Sequence, residues 1–204
     1  MVRPSIKGAV LAGHAEVFVK HLESHHVDPR TLRLRFLPDD LEVLRGWVHP
    51  TAWYDIGLYT RLLEFLRDEA GHGDDQYLID AGRRSAENMI RAAVYPQFEF
   101  LRRLESSGRA TAPERFVAFG RDLRHLITIN EAMLNFASNH VILDPEHADR
   151  YVIEHVAAAA YPEVLCWTTQ GFCNRMAEEH GARELWFWER PSRDLVWYRM
   201  RRPL

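Results

Sequence analysis

The segment 161–200 constrains the fold most, because it joins an amphipathic helix to a hairpin that is apolar on both faces. Apolar residues recur with helical spacing over 161–180, which predicts a helix there. Two runs rich in aromatic and branched residues follow, separated by a short polar turn, and they predict a hairpin over 183–200. The end of the chain is therefore expected to fold as helix, strand, strand.

In the first strand of this hairpin, Leu185 and Phe187 point to one face while Trp186 and Trp188 point to the other. A strand with one face in water alternates apolar and polar residues, and this strand does not. Both faces should therefore be covered. The chain's own helices can cover one face, and a partner subunit, further helices or a ligand can cover the other.

Helical patterns precede strand patterns along the chain. Helices are predicted over 5–25, 40–47, 52–70, 75–93, 96–106 and 113–128, and strands over 133–138 and 150–156. This order predicts an α+β fold, in which N-terminal helices pack on a C-terminal antiparallel sheet of about four strands with one crossover helix, 161–180. We expect a single domain over 1–204. Its parts are an N-terminal helix and connector (1–34), a helical part (35–128) and a strand-strand-helix-hairpin part (129–204).

Composition excludes several classes of partner. The chain has 204 residues, of which 47% are hydrophobic, so it can bury a core without crosslinks. Its net charge of -3 gives no basic field for nucleic acid. No apolar run approaches the roughly 20 residues of a membrane helix, and the start, MVRPSIKGAV, does not resemble a signal peptide. We therefore expect a cytoplasmic protein without a membrane span.

Cys166 and Cys173 lie seven residues apart on one predicted helix. At that spacing they are about 10 Å apart, beyond the roughly 7 Å limit for a disulfide. Two free thiols also fit a cytoplasmic location.

His14, His21 and His25 form a stripe along the first predicted helix, within about 40° of one another. His21 and His25 have the spacing that lets two imidazoles hold one metal. Two interpretations stay open: a zinc, iron or haem site completed elsewhere, or hydrogen-bonded histidines at a partly wet interface. The sequence contains no HExxH, GxSxG, P-loop or GxGxxG motif. We therefore predict no catalytic residues and expect no cofactor, with haem and zinc as the alternatives.

Soft, medium-sized side chains share one side of the helix predicted over 161–180. Such side chains suit the wall of an apolar small-molecule cavity, although they could also interlock and leave no void. An aromatic pair at the start of the helix predicted over 52–70 could stand at the cavity mouth or form a buried hydrophobic staple. The predicted ligand-contacting residues are Trp53, Tyr54, Leu165, Phe172, Cys173 and Met176.

Three blocks together resemble a known family: HPTAWYDIGLYTRLLEFL (49–66), DAGRRSAENMIRAAVYPQFEFLRRL (80–104) and GFCNRMAEEHGARELWFWE (171–189). They are similar to an uncharacterised paralogous family expanded in myxobacteria. More distantly, the chain resembles the superfamily of four-vinyl-reductase-type domains, haem nitric-oxide-binding domains and Bet3-like subunits of Golgi transport complexes. The resemblance implies helices on a twisted antiparallel sheet, an apolar cavity between them, and dimers. The Tyr-x-Ser-x-Arg signature of the haem branch is absent from the sequence.

The sequence thus predicts a non-enzymatic cytoplasmic regulatory or sensing module with an apolar small-molecule pocket. It also predicts a homodimer whose interface includes Trp186, Trp188 and Trp197. One alternative is a protein-protein adaptor without a ligand. Another is a metal-dependent enzyme that uses the first-helix histidines.

Overall fold

A layer of helices packs against one face of a four-stranded antiparallel sheet. The computed structural model describes residues 3–92 and 111–204, and within them it confirms the predicted α+β class with helices first and sheet last. The helix predicted over 96–106 lies outside the described residues.

The elements follow one another in the order β1 (Ser5–Lys7), α1 (Gly8–Ser24), α2 (Pro29–Arg35), α3 (Pro38–Arg45), β2 (Trp53–Asp55), α4 (Ile56–Ala70), α5 (Gln76–Arg91), α6 (Ala112–Glu131), β3 (Ser138–Leu143), β4 (Tyr151–Val156), α7 (Glu163–Glu178), β5 (Trp186–Ser192) and β6 (Leu195–Met200). A short 3-10 turn, Ala158–Ala160, precedes α7. Among the described residues, no helix is both long enough and apolar enough to cross a membrane.

Two short strands replace the starts of two predicted helices. β1 and β2 pair antiparallel, with Ile6 opposite Tyr54, so the helices predicted from 5 and from 52 begin later, at Gly8 and Ile56. Three-residue strands are too short to show an alternating pattern, and their pairing joins distant parts of the chain. Asp55 then caps α4 by accepting a hydrogen bond from the Gly57 amide at 2.5 Å.

The segment 26–37, which contains Pro29 and is expected to be a connector, contains a helix instead, α2. Pro29 stands in its first turn, where proline is tolerated because the first amides of a helix have no partner within it. The Asp28 carboxylate accepts a hydrogen bond from the Arg30 amide at 2.8 Å and caps this helix. Proline was therefore a start signal at this position and not a break.

The four strands of the sheet lie in the order β3-β4-β6-β5, all antiparallel. The strand predicted over 150–156 is confirmed as β4. The one predicted over 133–138 is found only in part: Leu134 forms an isolated antiparallel bridge with Ile6 of β1, and β3 begins at Ser138. The apolar residues that suggested that strand, Leu134 and Phe136, contact the core from the loop before β3. The pattern therefore marks a short extended stretch whose backbone pairs with β1 and not with the four-stranded sheet.

The inner face of the sheet meets the helices, whereas charged side chains cover much of the outer face. Trp186 is on the inner face and is only 1% exposed, so the prediction that it lies at a subunit interface is corrected: it has no surface left for a partner. Trp188 shares this face and packs edge-on against Trp167 of α7, with ring centroids 5.1 Å apart. On the outer face, Arg199 forms a bidentate pair with the buried Asp144.

Helix α7 also satisfies the free edge of the sheet at β5. The Asn174 side chain accepts from the Trp186 amide at 2.7 Å and donates to the Trp186 carbonyl at 3.1 Å. One helical turn earlier, Gln170 accepts from the Trp188 amide at 2.9 Å. An unpaired edge strand invites association with another strand, and these two amides remove that opportunity here.

Candidate ligand-binding cavity

An apolar cavity of about 420 Å³ lies between the helices and the inner face of the sheet. This volume falls within the range of roughly 300–1,000 Å³ that small-molecule sites occupy. Helices α1, α5, α6 and α7 form most of its wall, and Ile153 of β4 and Trp186 of β5 contribute from the sheet.

Helix α7 places four of the predicted residues in this wall: Leu165, Phe172, Cys173 and Met176. These residues are spaced by seven, eight and eleven positions, which returns them to one side of a helix. The helical spacing therefore predicted correctly which face of α7 turns toward the interior. Their role in binding a ligand stays a prediction.

Trp53 and Tyr54 do not line the cavity, so their predicted position at its mouth is corrected. Both belong to β2 and not to a helix start. Trp53 is 45% exposed, with the Lys7 ammonium 4.1 Å from its ring centroid. The Tyr54 hydroxyl accepts a hydrogen bond from the His49 amide at 2.9 Å. In the strand pair β1-β2, both side chains therefore contact residues outside the cavity wall.

Four hydroxyl groups in the wall are engaged with one another in two pairs. The hydroxyl oxygens of Tyr59 and Thr168 are 3.3 Å apart, and those of Tyr161 and Thr169 are 3.1 Å apart. Burial raises the pKa of Tyr59 to about 12, so this phenol stays neutral. These two pairs contribute uncharged groups to the cavity wall.

Two histidines, which sequence reasoning did not assign to a pocket, also line the cavity. His14 of α1 meets the Tyr59 ring edge-on at 5.7 Å, and His180 meets the Phe119 ring edge-on at 5.0 Å. Burial lowers the pKa of each imidazole to about 4, because the charged form is poorly solvated there. Both rings are therefore neutral near pH 7.

The predicted histidine stripe divides into two parts. His14 faces the cavity, whereas the rings of His21 and His25 stack on each other at 4.5 Å between centroids. His25 is exposed, and its Nδ1 lies 2.9 Å from the Ser24 hydroxyl. Across residues 3–92 and 111–204, no three metal-binding side chains come together. The described residues thus provide no assembled metal centre for these histidines.

Both cysteines are free thiols with raised pKa values. Burial raises the pKa of Cys166 to about 11, although Arg190 beside it opposes the shift, and burial alone raises the pKa of Cys173 to about 12. A thiol is nucleophilic as the thiolate, so neither side chain is activated for covalent chemistry. Cys173 serves the cavity as a small apolar surface.

A second, open cleft on the surface holds four carboxylates and four guanidinium groups from the described part of the chain. Its residues are Asp80, Arg83, Arg84, Glu87, Arg175, Glu178, Glu179 and Arg183. Several of these charges pair with each other: Arg83 reaches Glu178 at 2.5 Å, and Arg175 reaches Glu179 at 2.8 Å. Since the charges balance, this cleft does not select an ion of either sign.

No family model matches the chain, and neither does any curated protein. Two solved structures are similar in fold. One, described as a variant of Tt H-NOX, is 12% identical over 98% of this chain and 97% of its own, with a TM-score of 0.53. The other, described by the words "Modulating Heme Redox Potential Through Protein-Induced Porphyrin Distortion", is 12% identical over 96% and 99%, with a TM-score of 0.49.

The first likeness shows that this chain has an H-NOX-like fold. It confirms, at the level of fold, the resemblance to the haem nitric-oxide-binding branch. The resemblance to the myxobacterial family stays a prediction.

The described wall of the cavity does not fit a haem. A haem carries two propionates, and buried carboxylates need cations or several hydrogen-bond donors. Neither lysine nor arginine occurs among the described lining residues, and Asp122 adds a carboxylate of its own. The likeness to the H-NOX structure therefore extends to the fold, whereas the described lining residues offer no cation for haem propionates.

Proposed function

We propose that this chain is a non-enzymatic sensing module that binds a small apolar molecule in the cavity beneath α7. The cavity itself is the observation that carries the proposal, because it combines about 420 Å³ of space with an apolar wall from four helices and the sheet. The H-NOX-like fold is consistent with this proposal, and the cavity lies between the two layers of that fold, the helices and the sheet. A ligand in this cavity would contact both layers and could therefore change the position of the helices relative to the sheet.

The enzyme alternative has less support. A catalytic site needs an activated nucleophile or an acid-base group with access to substrate. The buried thiols have raised pKa values, and the buried imidazoles have lowered ones. The adaptor alternative predicts a folded protein that gains no stability from small molecules, so the two proposals differ in a measurable way.

The test is thermal stability in the presence of small apolar compounds such as benzene and indole. A ligand that binds only the folded state raises the melting temperature by mass action. Native mass spectrometry of the purified protein, compared with a denaturing run, would detect a ligand retained from the cell. Failure of every compound to raise the melting temperature, with no retained ligand, would favour the adaptor.

Cys173→Phe should fill the cavity, since this side chain lies in its wall. We expect the variant to fold and to lose the ligand-dependent rise in melting temperature. Val117→Phe is the matched control, because it adds an aromatic ring at a position on α6 that is exposed and outside the cavity. If Cys173→Phe binds the compounds as well as the control does, the ligand sits elsewhere.

A further inference from the structure

Asp122 is the one acidic side chain among the described residues of the cavity wall. It lies on α6, and its side chain is only 11% exposed. Since carboxylates are rarely buried without a partner, its placement beside an apolar cavity needs an explanation.

The two oxygens of this carboxylate meet different surroundings. Oδ1 lies 3.7 Å from Nε of Arg121, whose side chain is mostly exposed, so water screens this contact. Oδ2 is buried and has no hydrogen-bond partner among the described residues. The Nε2 atom of His180 is 3.9 Å from Oδ2, which is too far for a hydrogen bond.

The charges near Asp122 offset its burial only in part, and none of the described residues donates a hydrogen bond to Oδ2. Burial raises the pKa of the Asp122 carboxyl, while Arg121 and His125 act in the opposite direction. His180 faces the carboxylate, but its lowered pKa keeps it neutral near pH 7. A donor that enters the cavity would therefore find a buried acceptor that makes no hydrogen bond to the described residues.

We propose that Asp122 determines which ligand the cavity accepts: a small apolar molecule that ends in one hydrogen-bond donor, an ammonium or a hydroxyl group. Carboxylates of the same size are excluded, because two anions would meet in a site whose described lining residues include no lysine or arginine. This inference rests on the proposed function, since it specifies the ligand of the same cavity. Asp122 acts here as a specificity-determining residue, with no part in a reaction.

The experiment compares three probes that share one hydrocarbon chain: hexylamine, hexanol and hexanoate. Their affinities are measured by isothermal titration calorimetry at pH 7 for the wild type, for Asp122→Asn and for Asp149→Asn. The amide keeps the shape of the carboxylate and removes its charge. Asp149 is the matched control, because its side chain is 63% exposed and it does not line the cavity. Melting temperatures without probe confirm that each variant is folded.

In the wild type we expect hexylamine to bind most tightly and hexanoate least tightly. Asp122→Asn should weaken hexylamine roughly tenfold or more, which is the usual effect of losing a hydrogen bond to a charged group, and should leave hexanol nearly unchanged. Asp149→Asn should bind like the wild type.

Equal affinities for the three probes, or the same order in Asp122→Asn as in the wild type, would overturn the role of Asp122 and leave the cavity as a ligand site. If none of the probes binds to the wild type, the proposed function fails together with this inference.

Discussion

Three buried histidines should make the stability of this protein depend on pH. Burial lowers the pKa of His14 and His180 to about 4 and that of His155 to about 3, whereas an unfolded histidine titrates near 6.5. Above pH 6.5 the imidazoles are neutral in both states, and their contribution is fully present. As the pH falls below 6.5 the unfolded chain takes up protons first, so stability is lost progressively toward pH 4. A raised carboxyl pKa at Asp122 opposes part of this loss.

We expect the free energy of unfolding, measured by urea denaturation, to fall between pH 7 and pH 5 by about 2 kcal/mol for each fully buried histidine. His155→Phe isolates one contribution. Both ring nitrogens of His155 lack hydrogen-bond partners among the described residues, and its ring packs against Tyr161 and Tyr198 at 5.0 and 5.2 Å. Phenylalanine keeps the ring, so stability at pH 7 should be unchanged or higher, and the pH dependence should weaken.

His26→Asn, at an exposed position, is the control and should leave both the stability and its pH dependence as in the wild type. A large loss of stability in His155→Phe at pH 7, with the pH dependence intact, would contradict the prediction. It would mean that His155 makes hydrogen bonds in solution.

At the scale of residues, the sequence predicted part of the cavity wall. Helical periodicity was enough for Phe172 and Met176, because one helix face needs no knowledge of its neighbours. Asp122 escaped notice because a single acid on a polar helix has the same pattern whether it is solvated or buried. Only the packing of α6 against the sheet and α7 makes it a cavity residue.

At the scale of elements, the crossing of α5 and α7 depends on two glycines. A Cβ atom on Gly82 would lie 1.8 Å from the Thr168 carbonyl oxygen, and one on Gly171 would lie 1.9 Å from the Ile79 carbonyl oxygen. Because these contacts are with backbone, neither clash can be relieved by a rotamer change. The two helices would have to separate.

Gly171→Ala should therefore lower the free energy of unfolding by about 2–3 kcal/mol, the usual cost of forcing volume into a packed site. Gly13→Ala is the matched control: it also replaces glycine inside a helix, but an added Cβ meets nothing within 4 Å. That variant should gain about 0.5–1 kcal/mol, because alanine favours the helix. Equal effects in the two variants, measured by urea denaturation, would show that α5 and α7 do not cross this closely.

Sequence patterns predicted the long helices but not the shortest strands. Helices α4, α5 and α7 were predicted within a few residues of their ends because each carries a long apolar periodicity. The strands β1 and β2 were missed, since each has three residues and forms by pairing with a distant part of the chain. Periodicity within a short window predicts only local structure, and the pairing partners of these strands are distant in the sequence.

At the scale of the whole molecule, the order of helices and strands was enough for the fold class. It also indicated that the sheet needs helices on one face, which the structure shows. The second expectation from the hairpin, that a partner or ligand must cover the other face, has a competing explanation in the structure. Arg199 pairs with Asp144, Glu146 and Glu189 across that face, so part of its cover comes from the chain itself.

Homodimer formation remains a prediction, and burial limits which of the three tryptophans can lie at a dimer interface. Trp186 is buried, Trp188 lies on the inner face, and side chains of α7 cover the edge of β5 at Trp186 and Trp188, so another strand cannot pair with that part of the edge. Trp197 is on the outer face, half-buried, with its Nε1 donating to Glu154 at 3.0 Å.

We expect sedimentation to show a dimer that Trp197→Ala weakens by about 2 kcal/mol, the usual effect of removing an aromatic anchor. Trp47→Ala, at a tryptophan that is 82% exposed elsewhere, should leave the dimer intact. A monomer at high micromolar concentration would mean that the arginine network alone suffices to cover the outer face.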